Sequence, residues 1–314
     1  ICTWGKPYES ASSYFTMAGA RKYDYPPTFD YHEPWWNNYK YLNDHFARLS
    51  LALSSGKQVN NILIIEPTTT AWLYDSYTEK SKKPDEIGHT FQTFITTLEK
   101  SQVEYDLGSE NILKDIGSVS DGRIHVGQAS YSTVVIPPMV ENLNWQTFQL
   151  LEKFIYTGGK LIIFNDPTLL DGSESEEVKK VFARHTSEIC KLKDYSEGNI
   201  KKYFNSKNLM FEGMTGGTLY HHRRMLSDGQ IIFLANSSLT EKSYGSLTTS
   251  GKDVLEMNTL TGSIAGYPNN VSGDNVTISY SIPPAGSLLL FIPYSKLSGY
   301  RITVKPENIV DVLP

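Results

Sequence analysis

The sequence predicts an α/β domain followed by an all-β one, and two changes of apolar rhythm along the chain carry that prediction. In the middle of the chain, short continuous apolar runs alternate with stripes of helical period. From about residue 213 the period falls to two and turn signals come at short spacing. Ahead of both lies a segment whose composition no packing requirement explains, residues 19–36, GARKYDYPPTFDYHEPWW. At 314 residues the chain is long enough for two domains, each with its own core.

The first region, residues 1–57, is expected to hold that loop and one helix over residues 37–54. Leu42, Phe46, Leu49 and Leu53 recur at offsets of four, three and four and form a single apolar stripe, with Pro34 before the helix and Gly56 after it. A helix and a loop are too little for an independent core, so the stripe is expected to dock on the next domain or on something outside this chain. In the loop, Tyr23, Tyr25, Phe29, Tyr31, Trp35 and Trp36 supply flat apolar faces suited to the C–H faces of sugar rings. Arg21, Lys22, Asp24, Asp30, His32 and Glu33 supply the hydrogen bonds that sort hydroxyls. Pro26, Pro27 and Pro34 fix the backbone without a helix or strand, which suits a preorganised binding surface. The competing reading is a buried aromatic loop with its charges paired off. Counting back seven residues from Leu42 puts Trp35 on the inward stripe, so Trp36 is expected to face the loop with His32 and Glu33.

The second region, residues 58–210, alternates strands and helices. Strands are expected at 61–66 (NILIIE), 103–107, 132–136 (STVVI) and 160–165 (KLIIFN), the first, third and fourth apolar enough to be buried on both faces. Helices are expected at 89–100, through Phe91, Phe94, Ile95 and Leu98, and at 144–156, through Trp145, Phe148, Leu151, Phe154 and Ile155 before a Gly158-Gly159 stop. Strand, helix, strand in this rhythm implies right-handed crossovers and a parallel sheet of flavodoxin-like type with flanking helices. Ligands of such sheets sit beyond the carboxyl ends of the strands. There the sequence puts Glu66-Pro67-Thr68-Thr69-Thr70, Pro137-Pro138-Met139 and Asn165-Asp166-Pro167, with Trp72 and Tyr74 close behind. Glu66 and Asp166 are either a carboxylate pair or caps of the segments that follow.

Familiar chemistry is missing from that sheet. No Gly-x-Gly-x-x-Gly, no Gly-x4-Gly-Lys-Ser/Thr and no Gly-x-Ser/Cys-x-Gly elbow occurs, which removes the markers of dinucleotide binding, nucleotide hydrolysis and amidotransfer. Cys2 and Cys190 have neither paired spacing nor neighbouring His ligands, so no zinc site or disulfide framework is indicated, and Cys190 in HTSEICKLKD reads as a core thiol. The third region, residues 211–314, should close as a small antiparallel β-sandwich from strands at 229–235, 276–282 and 287–292. Just before the first of these stand His221, His222, Arg223 and Arg224. Neighbours on a strand point to opposite faces, so the quartet cannot converge on a metal and suits a domain interface. Net charge of -5 and scattered Lys and Arg exclude a nucleic-acid face, and no apolar run approaches the roughly 20 residues that span a bilayer, so neither nucleic acid nor membrane is an expected partner. The chain opens without Met at Ile1, as a processed or truncated product would.

The run GARKYDYPPTFDYHEPWWNNYKYLNDHFARLSLALSSGKQVNNILIIEPTTTAW resembles the segment that closes the catalytic barrel of family 106 glycoside hydrolases, the large bacterial α-L-rhamnosidase type. LYHHRRMLSDGQIIFLAN and IPPAGSLLLFI are similar to the β-domain that follows in such enzymes. The resemblance implies a remnant of a (β/α)8 barrel in residues 1–57, a rhamnose-containing glycan as partner and hydrolysis by inversion. It also implies calcium in the intact enzyme, with no cofactor assigned to this chain, and a periplasmic or extracellular location. Arg21, Lys22, Asp24, Tyr31, His32, Glu33 and Trp36 would then line part of the sugar pocket. A barrel takes about 250 residues, so the paired acidic residues of an inverting enzyme are expected upstream of Ile1, in a barrel portion missing from this chain. Glu33 is the one carboxylate of the motif beside both a His and stacking Trp residues. A non-catalytic carbohydrate-binding or scaffolding module is the alternative.

Overall fold

The computed structural model describes residues 36–184, 187–204 and 208–297. The chain divides into two compact units, Ile1–Ala52 with Asn258–Ser263, and Leu53–Met257 with Ile264–Pro314. In the first unit a single 3-10 turn, Trp36–Asn38, leads into helix α1, Tyr39–Ser54. Lys40 pairs with Asp44 one turn on at 2.7 Å, and Arg48 donates to the carbonyls of Thr259 and Leu260, each at 2.9 Å. The expected stripe is only partly realised. Phe46, Leu49 and Leu53 are half-buried, Leu42 is 41 % exposed, and no residue of α1 is fully buried.

The second unit opens on a parallel sheet and its helices. Strand β1 (Ile62–Ile65) leads through α2 (Thr68–Trp72) and α3 (Lys83–Lys100) to β2 (Asp106–Gly108). Next come α4 (Glu110–Ile116) and a three-stranded antiparallel meander, β3 (Gly117–Ser120), β4 (Arg123–Val126) and β5 (Ala129–Tyr131). Then follow β6 (Thr133–Ile136), β7 (Asn142–Leu143), α5 (Trp145–Tyr156), β8 (Lys160–Ile163), β9 (Leu169–Leu170), β10 (Ser173–Glu174), α6 (Glu176–Arg184), β11 (Ile189–Lys191) and α7 (Glu197–Tyr203). The main sheet runs β11-β8-β6-β1-β2 and every pairing in it is parallel. Counting only its own strands, the order is 2-1-3-4-5, the flavodoxin-like order.

Two apolar layers explain why its central strands read as unbroken apolar runs. Leu63, Ile65, Val134, Ile136, Leu161 and Ile163 face one layer, against Phe148, Leu151 and Phe154 of α5. Ile62, Ile64, Val135 and Ile162 face the other, against Phe94, Ile95 and Leu98 of α3. The expected strand at 103–107 begins instead at Asp106, because it is an edge strand with one buried residue in three. The expected helix at 89–100 begins earlier, at Lys83, with Pro84 in its first turn and Asp85 and Glu86 beside its positive end.

The remaining strands are antiparallel: β12 (Leu209–Thr215), β13 (Leu219–Met225), β14 (Gly229–Asn236), β15 (Ser243–Ser250), β16 (Leu255–Met257), β17 (Ile264–Gly266), β18 (Asn270–Ser272), β19 (Asn275–Ile282) and β20 (Ser287–Pro293). They form one sheet of order β12-β15-β19-β18 and another of order β13-β14-β20-β16-β17. Leu247, Ile278 and Ile282 of the first share one apolar core with Ile232, Leu234 and Leu290 of the second. The His-Arg quartet, expected just ahead of a strand, lies within β13 itself.

Candidate functional site

In an open parallel sheet the first place to look is the crevice where the strand order reverses, here between β1 and β6. It is closed by the protein's own side chains. Helix α2 follows β1 directly, and its fully buried Thr70 accepts hydrogen bonds through Oγ1 from the amides of Glu141 (3.1 Å) and Asn142 (3.0 Å), just beyond β6. Next to it, Thr69 donates to Glu110 at 2.5 Å, and the second oxygen of that buried carboxylate accepts from the amide of Asn144 at 2.7 Å.

The opening lies one step along, at the carboxyl ends of β6, β8 and β11, as a cleft of about 560 Å³. Four of its lining residues are among those the sequence put at strand ends: Pro138, Met139, Asn165 and Asp166. Phe164, Thr168 and Glu141 add to them, and Lys193, Asp194 and Tyr195 complete the wall. Those last three follow β11, which has three residues and only one of them buried, so no apolar run announced it.

Geometry divides the cleft into a fixed frame and a free part. Tyr195 stands edge-on to Phe94 (centroids 5.5 Å, 75°) and to Phe164 (6.2 Å, 78°), an arrangement that holds its ring in place. Glu141 accepts from the Tyr74 hydroxyl at 2.5 Å and pairs with Lys83 at 3.2 Å. The Tyr74 hydrogen bond, opposed by partial burial and aided by Lys83, holds the Glu141 carboxyl below its ordinary range. Asp194 is lowered chiefly by hydrogen bonds from Ser196, with Asn199 adding to them. Asp166 is paired with Lys191 at 2.7 and 2.8 Å. Three groups are left over. Asn165 donates through Nδ2 to the carbonyl of Val140, but its buried Oδ1 has no partner among the described residues. Lys193 is exposed and has no ion pair among the described residues. Met139 is held at φ 67°, a left-handed conformation uncommon outside glycine.

The structure does not unite Glu66 with Asp166. Strand β6 separates the two strand ends, about 10 Å apart at two strand spacings, and Asp166 is taken by Lys191. Nor does Glu66 cap α2, whose N-cap is Pro67 with no side-chain cap bond. Of the expected sugar-pocket residues, Arg21, Lys22, Asp24, Tyr31, His32 and Glu33, with Trp35, lie outside the described residues. Trp36 is 43 % exposed and meets Tyr39 edge-on at 5.9 Å.

A smaller polar pocket of about 200 Å³ lies between β13 and the residues ahead of β2. Alternation along β13 sorts the quartet as expected for an interface. Arg223 grips Glu104 with both nitrogens, at 2.7 and 2.5 Å, while His221 bonds Gln102 through Nδ1 at 2.8 Å. On the other face Arg224 donates to the carbonyls of Ser54, Ser55 and Gly56. Gln102 also donates to the carbonyl of Leu219 at 2.7 Å. Among the described residues no group of three or more His, Cys, Asp or Glu is placed to hold a metal ion.

No protein-family profile matches the chain, and no curated protein matches it by sequence. Solved structures do. A rhamnosidase from Novosphingobium sp. PP1Y superposes with a TM-score of 0.64 at 15% identity, covering 89% of this chain and 26% of its own. A catalytic mutant of Gan42B, a GH42 β-galactosidase from G. stearothermophilus, gives 0.51 at 8% identity over 86% of this chain and 46% of its own. An α-L-fucosidase isoenzyme from Paenibacillus thiaminolyticus gives 0.50 at 9%, over 83% and 52%. The fold is one found in glycoside hydrolases. At these identities the likeness is one of fold, and the chain spans about a quarter of the rhamnosidase and about half of each of the other two.

Proposed function

We propose that the chain is the C-terminal part of a glycoside hydrolase acting on α-L-rhamnosides, with family 106 as its type. The observation that carries this reading is the superposition of nearly nine-tenths of the chain on a quarter of a rhamnosidase, in agreement with the resemblance of residues 19–72. On this reading residues 1–57 end a catalytic barrel, and Arg21, Lys22, Asp24, Tyr31, His32, Glu33 and Trp36 form one wall of its sugar pocket. Inversion needs an acid to protonate the leaving oxygen and a base to activate water on the opposite face, two carboxyls roughly 6.5 to 9.5 Å apart. Glu33 can fill at most one of those roles, so the pair belongs to the barrel portion encoded upstream, together with any calcium the enzyme uses.

The test compares the 314-residue chain with the product of the whole reading frame on aryl α-L-rhamnosides, α-L-fucosides and β-galactosides. The longer protein should turn over the rhamnoside and the chain alone should not. Activity of the chain within about tenfold of the longer protein, a barrier difference of roughly 1.4 kcal/mol, would place the chemistry inside these residues and defeat the proposal. A longer product that cleaves only fucosides or galactosides would defeat the substrate assignment. A reading frame that opens near Ile1 would favour the non-catalytic module.

A further inference from the structure

We infer that the cleft at the carboxyl ends of β6, β8 and β11 is a second, non-catalytic sugar site, which takes a neutral monosaccharide unit. Size permits it, since about 560 Å³ falls in the range of small-ligand pockets. Charge selects neutrality. Each carboxylate on the wall is already answered: Asp166 by Lys191, Glu141 by Lys83, and Asp194 by Ser196 and Asn199. Among the described lining residues a phosphate or uronate would find one cation without an ion pair, Lys193, in company with three carboxylates, and a cationic ligand would have to displace existing partners.

The acceptors on the wall are the oxygens of those three carboxylates, which have lone pairs beyond the bonds they already accept. Asn165 is anchored through Nδ2 to the carbonyl of Val140 and its Oδ1 is buried, so its amide frames the wall. Beside it the ring of Tyr195, locked by Phe94 and Phe164, offers a rigid half-buried aromatic surface, and Lys193 a mobile donor at the rim. An aromatic wall, carboxylate acceptors and a flexible donor match a pyranose, with apolar C–H positions and hydroxyls that both give and take. Met139, in the loop after β6, lines the same cleft with its backbone in the left-handed region.

This inference stands on the lining of the cleft and does not need the catalytic reading to hold. Saturation-transfer NMR and calorimetric titration of the full 314-residue chain with L-rhamnose, L-fucose and D-galactose, with glycerol as control, test it. At least one sugar should bind with a Kd on the order of 1 to 10 mM, typical of a shallow site, and glycerol should not. Tyr195→Ala should weaken binding by about tenfold or more. Because Tyr195 also packs on Phe94, Thr168→Trp, at an exposed lining position, supplies a variant that fills the cleft without touching that cluster; it should abolish binding and leave the melting temperature unchanged. Failure of all three sugars to bind, or undiminished binding to the folded Thr168→Trp variant, would overturn the inference. Turnover by the longer protein is measured apart from this, so either conclusion can fail alone.

Discussion

Arg223 and Glu104 form a largely buried ion pair that ties β13 to the residues ahead of β2. Burial pushes the Glu104 carboxyl up, but His221, 3.7 Å away, and the charge and hydrogen bonds of Arg223 overcome it, leaving the group below its ordinary 4.5. The unfolded carboxyl therefore takes up its proton at a higher pH than the folded one, so this contribution is present above about 4.5 and is lost as pH falls. His222 adds an earlier phase. Burial first, then Arg224 and His221, lowers it from 6.5, so below that pH the unfolded chain binds a proton that the folded one refuses. Melting temperature should begin to drop just below pH 6.5 and steepen below 4.5. Glu104→Gln should flatten the second phase alone, and an unchanged profile would refute the assignment. Arg223→Ala leaves a buried carboxylate unpaired and should cost about 3 to 5 kcal/mol by denaturant unfolding at pH 7.

Among the elements, legibility tracked burial. The runs at 61–66, 132–136 and 160–165 were readable because both faces of β1, β6 and β8 are covered, which removes polar residues from the strand. Helix α5 was readable to within a residue, since Phe148, Leu151 and Phe154 make its stripe and Gly158 and Gly159 its stop. The meander β3-β4-β5 and strand β11 went unseen because each is only three or four residues long and mixes polar with apolar positions, so no apolar run stands out. The strand-end cleft was half legible for the same reason: Asn165 and Asp166 follow a readable strand, Lys193 to Tyr195 an unreadable one. The turn after α5 has a demand that the stop signal alone does not reveal. A side chain on Gly159 would run into the ring of Phe154, itself fully buried. Gly159→Ala should therefore cost roughly 1 to 3 kcal/mol, the range of overpacking, whereas Gly158→Ala meets no neighbour and pays only for its φ of 90°. Equal melting temperatures for the two variants would show that the Phe154 contact is unimportant.

For the molecule as a whole, the parallel sheet and the antiparallel sheets belong to one compact unit. Gln102 reaches from the end of α3 to Leu219 and His221, and Glu104 reaches to Arg223, so the two halves share buried polar bonds that neither can satisfy alone. Calorimetry should show one transition for the two, and Arg223→Ala should lower it or split it. Two transitions in the unaltered chain would mean that the halves are energetically separate. At this scale the sequence was informative about order, sheet before sheets, but not about coupling, because alternation tells which way His221 and Arg223 point and not what they meet. Of the residues proposed to face a rhamnoside, Arg21 to Trp36, only Trp36 is among the described residues.

Strand β13 is also the open edge of its five-stranded sheet, seven residues long. An edge of that length is a template on which a second polypeptide can add itself. Here the invitation is withdrawn twice: four consecutive ionisable residues line the strand, and the segment through Gly56 and Lys57 bridges its far end, Lys57 and Met225 exchanging both backbone hydrogen bonds at 2.8 and 2.7 Å. The contacts that join the two halves thus double as protection against self-association, and substitutions that loosen them would expose a sticky ribbon before they unfolded a domain.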